Sequence, residues 1–293
     1  MMIFQCHFDF KDEALLRSVP NNNAREIIPV RESTQKEISK KLPITYEWLM
    51  MSGQDARYLS VTPFTPNSYD ISFGLEIKNS LTLAWDRDRK EILYSKGQDY
   101  SPDKLQFWLY HTFMPILLEL RKMYHILHVG AVKIEDKTIL FSAPSFGGKS
   151  TMTDYFINHG HTMLSDDTLA VEEIDGKYYA IPSYPFHRPY RKLEDLGYPV
   201  KNFLTTVEPI DTIYLLNKST TQTEIKIEEL KGIEKFKALH YSIFIMFEFM
   251  KQEWFLFFTE MAKGIPVYEV HYPHDLERLP EVYEKIIEHQ IML

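Results

Sequence analysis

Cysteine is almost missing from these 293 residues: Cys6 stands alone, so no internal disulfide can form. That fits a reducing compartment, and a cytoplasmic location is expected. A long uninterrupted apolar run is missing too. The nearest thing, Tyr241 to Phe258 (YSIFIMFEFMKQEWFLFF), is broken by Glu248, Lys251, Gln252 and Glu253. It falls short of the roughly 20 apolar residues a membrane span needs, so a buried helix is expected there. The start, MMIFQCHFDFKDE, has no basic segment followed by an apolar one, and no signal peptide is expected. Basic excess is also lacking. Lys and Arg number 33 against 41 Asp and Glu, a net charge of -8, which argues against a general nucleic-acid or anionic-membrane binder. It leaves room for a local basic pocket. No internal repeat or low-complexity tract is visible.

What remains is ordinary globular material, 44% hydrophobic and 25% charged, long enough for one large domain or two smaller ones. Residues 1 to about 75 read as irregular, with one short helix in NNNAREIIPVRESTQKEISKKLP and a strand from Tyr69 onward. Leu81–Trp85 and Glu91–Tyr94 read as two strands joined by DRDRK. Pro102–Met123 is the clearest helix. Ser101 is a natural cap, Pro102 suits the first turn, and Leu105, Trp108, Phe113, Ile116, Leu117 and Leu120 fall near helical spacing. This helix is expected to dock the two halves of the chain.

Strands are then expected at His128–Ile134, Thr138–Phe141 and His161–Ser165, with a helix at Lys149–Asn158 ended by Gly160. A hairpin follows around Asp175-Gly176, then the loop PSYPFHRPYRK and a strand at Ile210–Leu216. The tail reads as helices near Ile227–Leu239, Ile243–Lys263 and Leu276–Gln290, with a strand at Val267–Val270.

Chemistry concentrates in ILFSAPSFGGKSTMTDYF, Ile139 to Phe156. A strand, a Gly-bearing turn, Lys-Ser-Thr and a helix follow in the order of a phosphate-binding loop, G-x-x-x-x-G-K-[ST]. In such a loop backbone N–H groups and the positive end of a helix dipole face the anion. A lysine reaches the outer phosphates and the next hydroxyl helps hold Mg²⁺. Gly147 and Gly148 allow close backbone approach, Lys149 is the cation and Ser150 the metal hydroxyl, with Thr151 behind it. Ser145 and Phe146 complete the cradle. Ala143 stands where the pattern opens with Gly.

Two further features support that reading. Asp166 and Asp167 end the strand after the loop helix, as LSDD. Adjacent carboxylates repel unless a cation or a shared proton relieves them, and a metal would serve. His128, in LHVGAV, begins the strand that enters this region and is placed to steer an aspartate. The histidine spacings elsewhere, His159 with His161 and His271 with His274, match no metal-ligand pattern.

With these residues together, HVGAVKIEDKTILFSAPSFGGKST followed by NHGHTMLSDD resembles the catalytic domain of HPr kinase/phosphorylase and the wider HPr-kinase-like group. The resemblance implies an α/β (α+β) fold: a phosphoenolpyruvate-carboxykinase-like P-loop core with a mixed sheet and flanking helices. That core would span 101–293, beside a smaller mixed N-terminal region, 1–100, for acceptor binding or regulation. It implies ATP, Mg²⁺ and phosphoryl transfer to a serine hydroxyl of a peptide or protein. Carried over by position, Lys149 binds the triphosphate, Ser150 and Asp167 serve the metal, Asp166 is the base and His128 its partner. The ranking of the two aspartates stays open. PSYPFHRPYRK is similar to a loop in peptide-modifying relatives, where Arg188 or Arg191 would neutralise the transferred phosphate. The segment that marks the bifunctional HPr enzyme has no match here, so the resemblance does not carry phosphorylase activity or HPr as acceptor. A small-molecule hydroxyl kinase and a non-catalytic nucleotide-binding sensor or scaffold are the alternatives. An oligomer is left open, and neither nucleic acid nor membrane is an expected partner.

Overall fold

A computed structural model describes all residues except 1, 14, 15, 17–22, 145, 189–191, 221–223 and 246. It is an α/β protein with several mixed sheets. The chain divides into two compact units, Met1–His125 with Tyr190–Gly197, and Ile126–Pro189 with Tyr198–Leu293. The division expected after residue 100 therefore falls inside the first unit.

Among the described residues, the first unit carries a nine-stranded sheet. Its strands are β1 (Met2–Ile3), β2 (Cys6–Phe10), β3 (Glu26–Glu32), β4 (Ile44–Thr45), β5 (Leu49–Met51), β6 (Gln54–Ser60), β7 (Phe73–Ile77), β8 (Leu81–Asp86) and β9 (Glu91–Lys96). The order is β1-β2-β3-β9-β8-β7-β6-β4, with β5 on β6. The irregular N-terminal region expected from sequence is thus largely sheet. Pro29 hid β3, since proline inside a run argues against a strand. Here β3 pairs with β9 only from Val30 onward, so one side of Pro29 needs no ladder bond. The short helix is α1 (Gln35–Lys41), held by a reciprocal capping box between Thr34 and Glu37. The predicted long helix runs as α2 (Pro102–Phe107), a π-helical turn (Trp108–Phe113) and α3 (Met114–Leu120). Ser101 caps it by accepting from the Lys104 N–H at 3.3 Å. Its rings lie on the sheet, Phe113 on Phe73 at 5.1 Å and Tyr110 on Phe8 at 5.4 Å.

The second unit contains β10 (His125–Leu127), β11 (Gly130–Ile134), β12 (Lys137–Ser142), α4 (Lys149–Asn158), β13 (Thr162–Ser165), β14 (Leu169–Ile174), β15 (Lys177–Ile181), β16 (Phe186–His187), β17 (Tyr198–Pro199), β18 (Glu208–Pro209), β19 (Thr212–Ser219), β20 (Lys226–Glu229), α5 (Gly232–His240), α6 (Lys251–Gly264), β21 (Val267–Pro273) and α7 (Leu279–Met292). Its main sheet has the order β13-β11-β12-β19-β21-β20. The middle of β12 is covered on both faces, which is why Ile139, Leu140 and Phe141 follow one another without polar alternation. Ile139 and Phe141 join Met152 and Phe156 of α4 and Val282 and Ile286 of α7 in one core. From the opposite face, the Ser142 hydroxyl meets Ser242 Oγ at 2.8 Å beside the end of α5.

Two tail helices differ from expectation. Residues 226–229 form an edge strand on β21 instead of the first turns of a helix. The helix expected from Ile243 begins only at Lys251, after a short 3-10 turn at Glu248–Met250. The cause is tertiary: the His128 N–H donates to the Ser242 carbonyl at 2.6 Å, and Leu127 bridges to Ile243. That pairing holds the backbone extended where local propensity favours a helix. Among the described residues, no helix is long and apolar enough to cross a membrane.

Candidate functional site

Register decides which residues meet. β11 runs antiparallel to both neighbours, with Gly130 opposite Phe141 on β12 and Ala131 opposite Ser165 on β13. The exits of β12 and β13 and the entrance of β11 therefore share one end of the sheet. The loop after Ser142, the pair Asp166-Asp167 and His128 all emerge there. Loop and aspartates are separated by two strand spacings, about 10 Å. On the other side β19 lies parallel to β12, with Ser142 opposite Leu215. β19 continues four residues further to Ser219, paired with β21 to Pro273, and this extension walls the loop.

The loop itself is tightly determined. The Gly147 N–H donates to the Pro144 carbonyl at 2.9 Å and closes a turn. A Cβ at Gly147 would sit 2.4 Å from Ala143 Cβ and 2.7 Å from Pro144 O. Ala143 is a buried member of the core, and its backbone is not in the left-handed region. The departure from the opening glycine is thus accommodated: Ala143 fills the space that Gly147 leaves bare. Gly148 has φ +97°, which favours glycine. A Cβ there would lie 2.8 Å from the Tyr272 hydroxyl, which itself donates to the Gly147 carbonyl at 3.3 Å. Burial pushes the Tyr272 phenol up to about 12, so this hydroxyl keeps its proton.

Gly148 is the N-cap of α4, and no side chain caps that end. The first-turn N–H groups and the positive end of the dipole face the loop. Lys149 is buried, and its ammonium donates to the Ala143 carbonyl at 3.1 Å across the loop. Ser150 is half-buried and Thr151 exposed. Phe146 is 76% exposed at φ +63°. Ser145 lies outside the described residues.

The two aspartates have different surroundings. Asp166 is 3% exposed. Its Oδ2 accepts from the Arg188 N–H at 2.8 Å, and its Oδ1 lies 3.0 Å from His187 Nδ1. His187 is fully buried, and its Nε2 lies 3.1 Å from Asp154 Oδ1 on α4. The ring N–H directions lie off the lines to these oxygens, so the contacts are charge pairs at hydrogen-bond distance. Burial acts most strongly on His187 and lowers its pKa; Asp166 and then Asp154 outweigh it, and the net direction is up. Tyr198 donates its hydroxyl to the same Asp154 oxygen at 2.5 Å.

Asp167 is more open, its side chain 19% exposed. His128 Nδ1 lies 3.0 Å from the Asp167 carbonyl and 3.4 Å from its carboxylate, and Phe244 lies beside the His128 ring. His128 was expected to partner Asp166; the contacts described join it to Asp167, while His187 and the Arg188 backbone serve Asp166. Tyr184 is buried near both aspartates. Its pKa is driven well up by burial first and by the charges of Asp167 and Asp166 next. Arg188 is half-buried beside Asp166, and Arg191 lies outside the described residues.

Sequence reasoning missed His187, Asp154, Tyr198 and Tyr272. His187 sat in view within PSYPFHRPYRK, where the arginines took the attention. Nothing in its spacing connects it to Asp154.

Among the described residues, this end of the sheet offers backbone N–H groups, the Lys149 ammonium, the Ser150 hydroxyl and the Asp167 carboxylate. Among the described residues no group of three or more His, Cys, Asp or Glu side chains is arranged to hold a metal alone. The oxygen donors fit Mg²⁺, which takes one or two protein ligands and fills its shell with phosphate oxygens and water.

No protein-family model matches the chain, and no curated protein does. Among solved structures it is similar to the Hpr(Ser) kinase/phosphatase from Coxiella burnetii, at a TM-score of 0.37 and 12% identity. The match covers 57% of this chain and 97% of that one. A likeness so distant carries nothing about chemistry, which rests on the geometry above.

Proposed function

We propose that the second unit is an ATP-dependent phosphotransferase built on a P-loop. The observation that carries this is the uncapped α4 terminus behind a turn that only Gly147 and Gly148 fit, with an aspartate pair at the same end of the sheet. The loop N–H groups bind the β- and γ-phosphates. Lys149 leaves the Ala143 carbonyl and pairs with them. Mg²⁺, when bound through Ser150 and phosphate oxygens, neutralises charge on the triphosphate.

In this reading Asp167, the open member of the pair, takes the acceptor hydroxyl's proton, and His128 orients it. The acceptor oxygen bonds to the γ-phosphorus, the bond from that phosphorus to the bridging oxygen breaks, and ADP leaves. Such transfer asks mainly for positioning and charge neutralisation. The enclosed Asp166 serves in this reading to hold the strand tip. The acceptor class, a serine of a peptide or protein, rests on the motif order HVGAV, GGKST and LSDD. Arg188 then supplies positive charge near the transferred group.

Incubation with γ-labelled MgATP and a serine-containing peptide library tests the proposal. Labelled phosphoserine is expected with the wild type and not with Lys149→Ala. Equal label transfer by both proteins would refute it.

A further inference from the structure

We propose that His187 is a positioning residue of the phosphoryl-transfer site: its enclosed ring ties Asp166 to the loop helix through Asp154. This rests on the phosphotransferase reading above. His187 belongs to the short strand β16. The ring is fully buried, and carboxylate oxygens face both nitrogens, Asp166 Oδ1 at 3.0 Å and Asp154 Oδ1 at 3.1 Å. Both oxygens belong to carboxylates, so a neutral ring would leave two negative charges side by side with nothing between them to offset either. The arrangement therefore calls for an imidazolium, which offsets one of the two negative charges.

Tyr198 packs beside the ring as well. β16 and β17 pair His187 with Tyr198, whose ring stands edge-on at 5.3 Å and 82°. The Tyr198 hydroxyl occupies the same Asp154 oxygen that His187 faces. The next residue in the chain, Arg188, gives its N–H to the second oxygen of Asp166. Both oxygens of Asp166 are thereby held by two consecutive residues. Asp154 is the sixth residue of α4, about 8 Å along its axis from the phosphate end. A rigid chain of contacts runs from the loop helix through one ring to Asp166, and the backbone then delivers Asp167 to the acceptor. Small displacements at a reacting centre are costly, and this ring is placed to prevent one.

The consequence is a specific kinetic pattern. With a folded protein, His187→Gln keeps one donor but does not span both carboxylates. Asp154→Asn removes the far charge from a side chain that is only partly buried and tests the same tie if His187→Gln does not fold. Each is expected to lower the turnover of MgATP by about 10- to 100-fold, the range seen when supporting partners of a site are removed. The KM for MgATP is expected to stay unchanged, because loop and Lys149 are untouched. The double variant is expected to lose little more than either single one, since both break one tie. Nitrogen NMR of histidine-labelled protein gives an independent reading, with His187 protonated at both nitrogens in the wild type.

Wild-type turnover in folded His187→Gln and Asp154→Asn would overturn the inference. So would a fully additive double variant, or a neutral His187 ring in the wild type. Absence of MgATP binding by the wild type is a different failure, which sinks the phosphotransferase reading and the positioning role with it.

Discussion

Gly148→Ala is the sharpest perturbation of the loop. Gly148 sits at φ +97°, where an L side chain costs about 1–3 kcal/mol. The added Cβ also lies 2.8 Å from the Tyr272 hydroxyl, which must move and loosen its bond to the Gly147 carbonyl. The protein has two ways to respond. If the loop keeps its shape, the strain appears as lost stability, about 2–4 °C per kcal/mol for a domain of this class. If the loop relaxes, the strain is relieved, but the N–H groups no longer converge. Nucleotide affinity then falls by about 5- to 150-fold, the same energy expressed as binding. The control is Gly160→Ala. Gly160 has φ +91° with nothing within 4 Å of a Cβ, and it lies beyond the far end of the same helix. Its variant suffers a similar backbone strain away from any phosphate. Calorimetric MgATP affinity and a thermal melt of both variants separate the responses. Gly148→Ala is expected to lose affinity or, with the loop intact, stability, whereas Gly160→Ala loses only stability. A Gly148→Ala protein with wild-type melting and wild-type MgATP affinity would refute the backbone cradle.

Further expectations can be checked directly. Asp167→Asn should cut phosphoryl transfer by about 10²- to 10⁴-fold, the usual worth of a general base, while calorimetry shows nucleotide binding unchanged. His187, with its pKa raised in the fold, contributes stability that is complete below its unfolded value of about 6.5. That contribution disappears as pH rises through the folded value, so the melting gap between wild type and His187→Gln should narrow from pH 6 to pH 9. Cys6 is fully buried, and burial, with Glu26 adding, pushes its thiol up to about 12. A thiol reagent at pH 8 should leave it unmodified until denaturant is added. Phe156→Ala empties part of the core shared by β12, α4 and α7 and should lower stability by about 3–5 kcal/mol, read from denaturant unfolding.

The main features of the second unit were legible because its local signals agree with its tertiary structure. The unbroken apolar run Ile139–Phe141, the paired glycines and the Gly160 stop each have one good structural answer, and β11, β12, α4 and the β14–β15 hairpin follow. What escaped depends on contacts between distant segments. β3 contains a proline that is harmless only because its far side is unpaired there. Ile243 looks like the start of a helix, but it and Ser242 before it are drawn onto Leu127 and His128. At the site, LSDD announced two aspartates without saying which is enclosed. That follows from His187 and the Arg188 backbone, more than 20 residues away, and no periodicity links them. Ala143 looked like a defect in the motif; the fold turns it into a packing partner for the bare Gly147.

Backbone N–H groups at Gly147, Gly148 and the first turn of α4 are the proposed seat of a triphosphate. A crystal structure with Mg²⁺ and a non-hydrolysable ATP analogue tests it most directly. The β- and γ-phosphates should lie on those N–H groups, with Lys149 swung from the Ala143 carbonyl onto them and Asp167 facing the γ-phosphate. An analogue bound elsewhere, or an empty loop at saturating nucleotide with Lys149 still on Ala143, would contradict it.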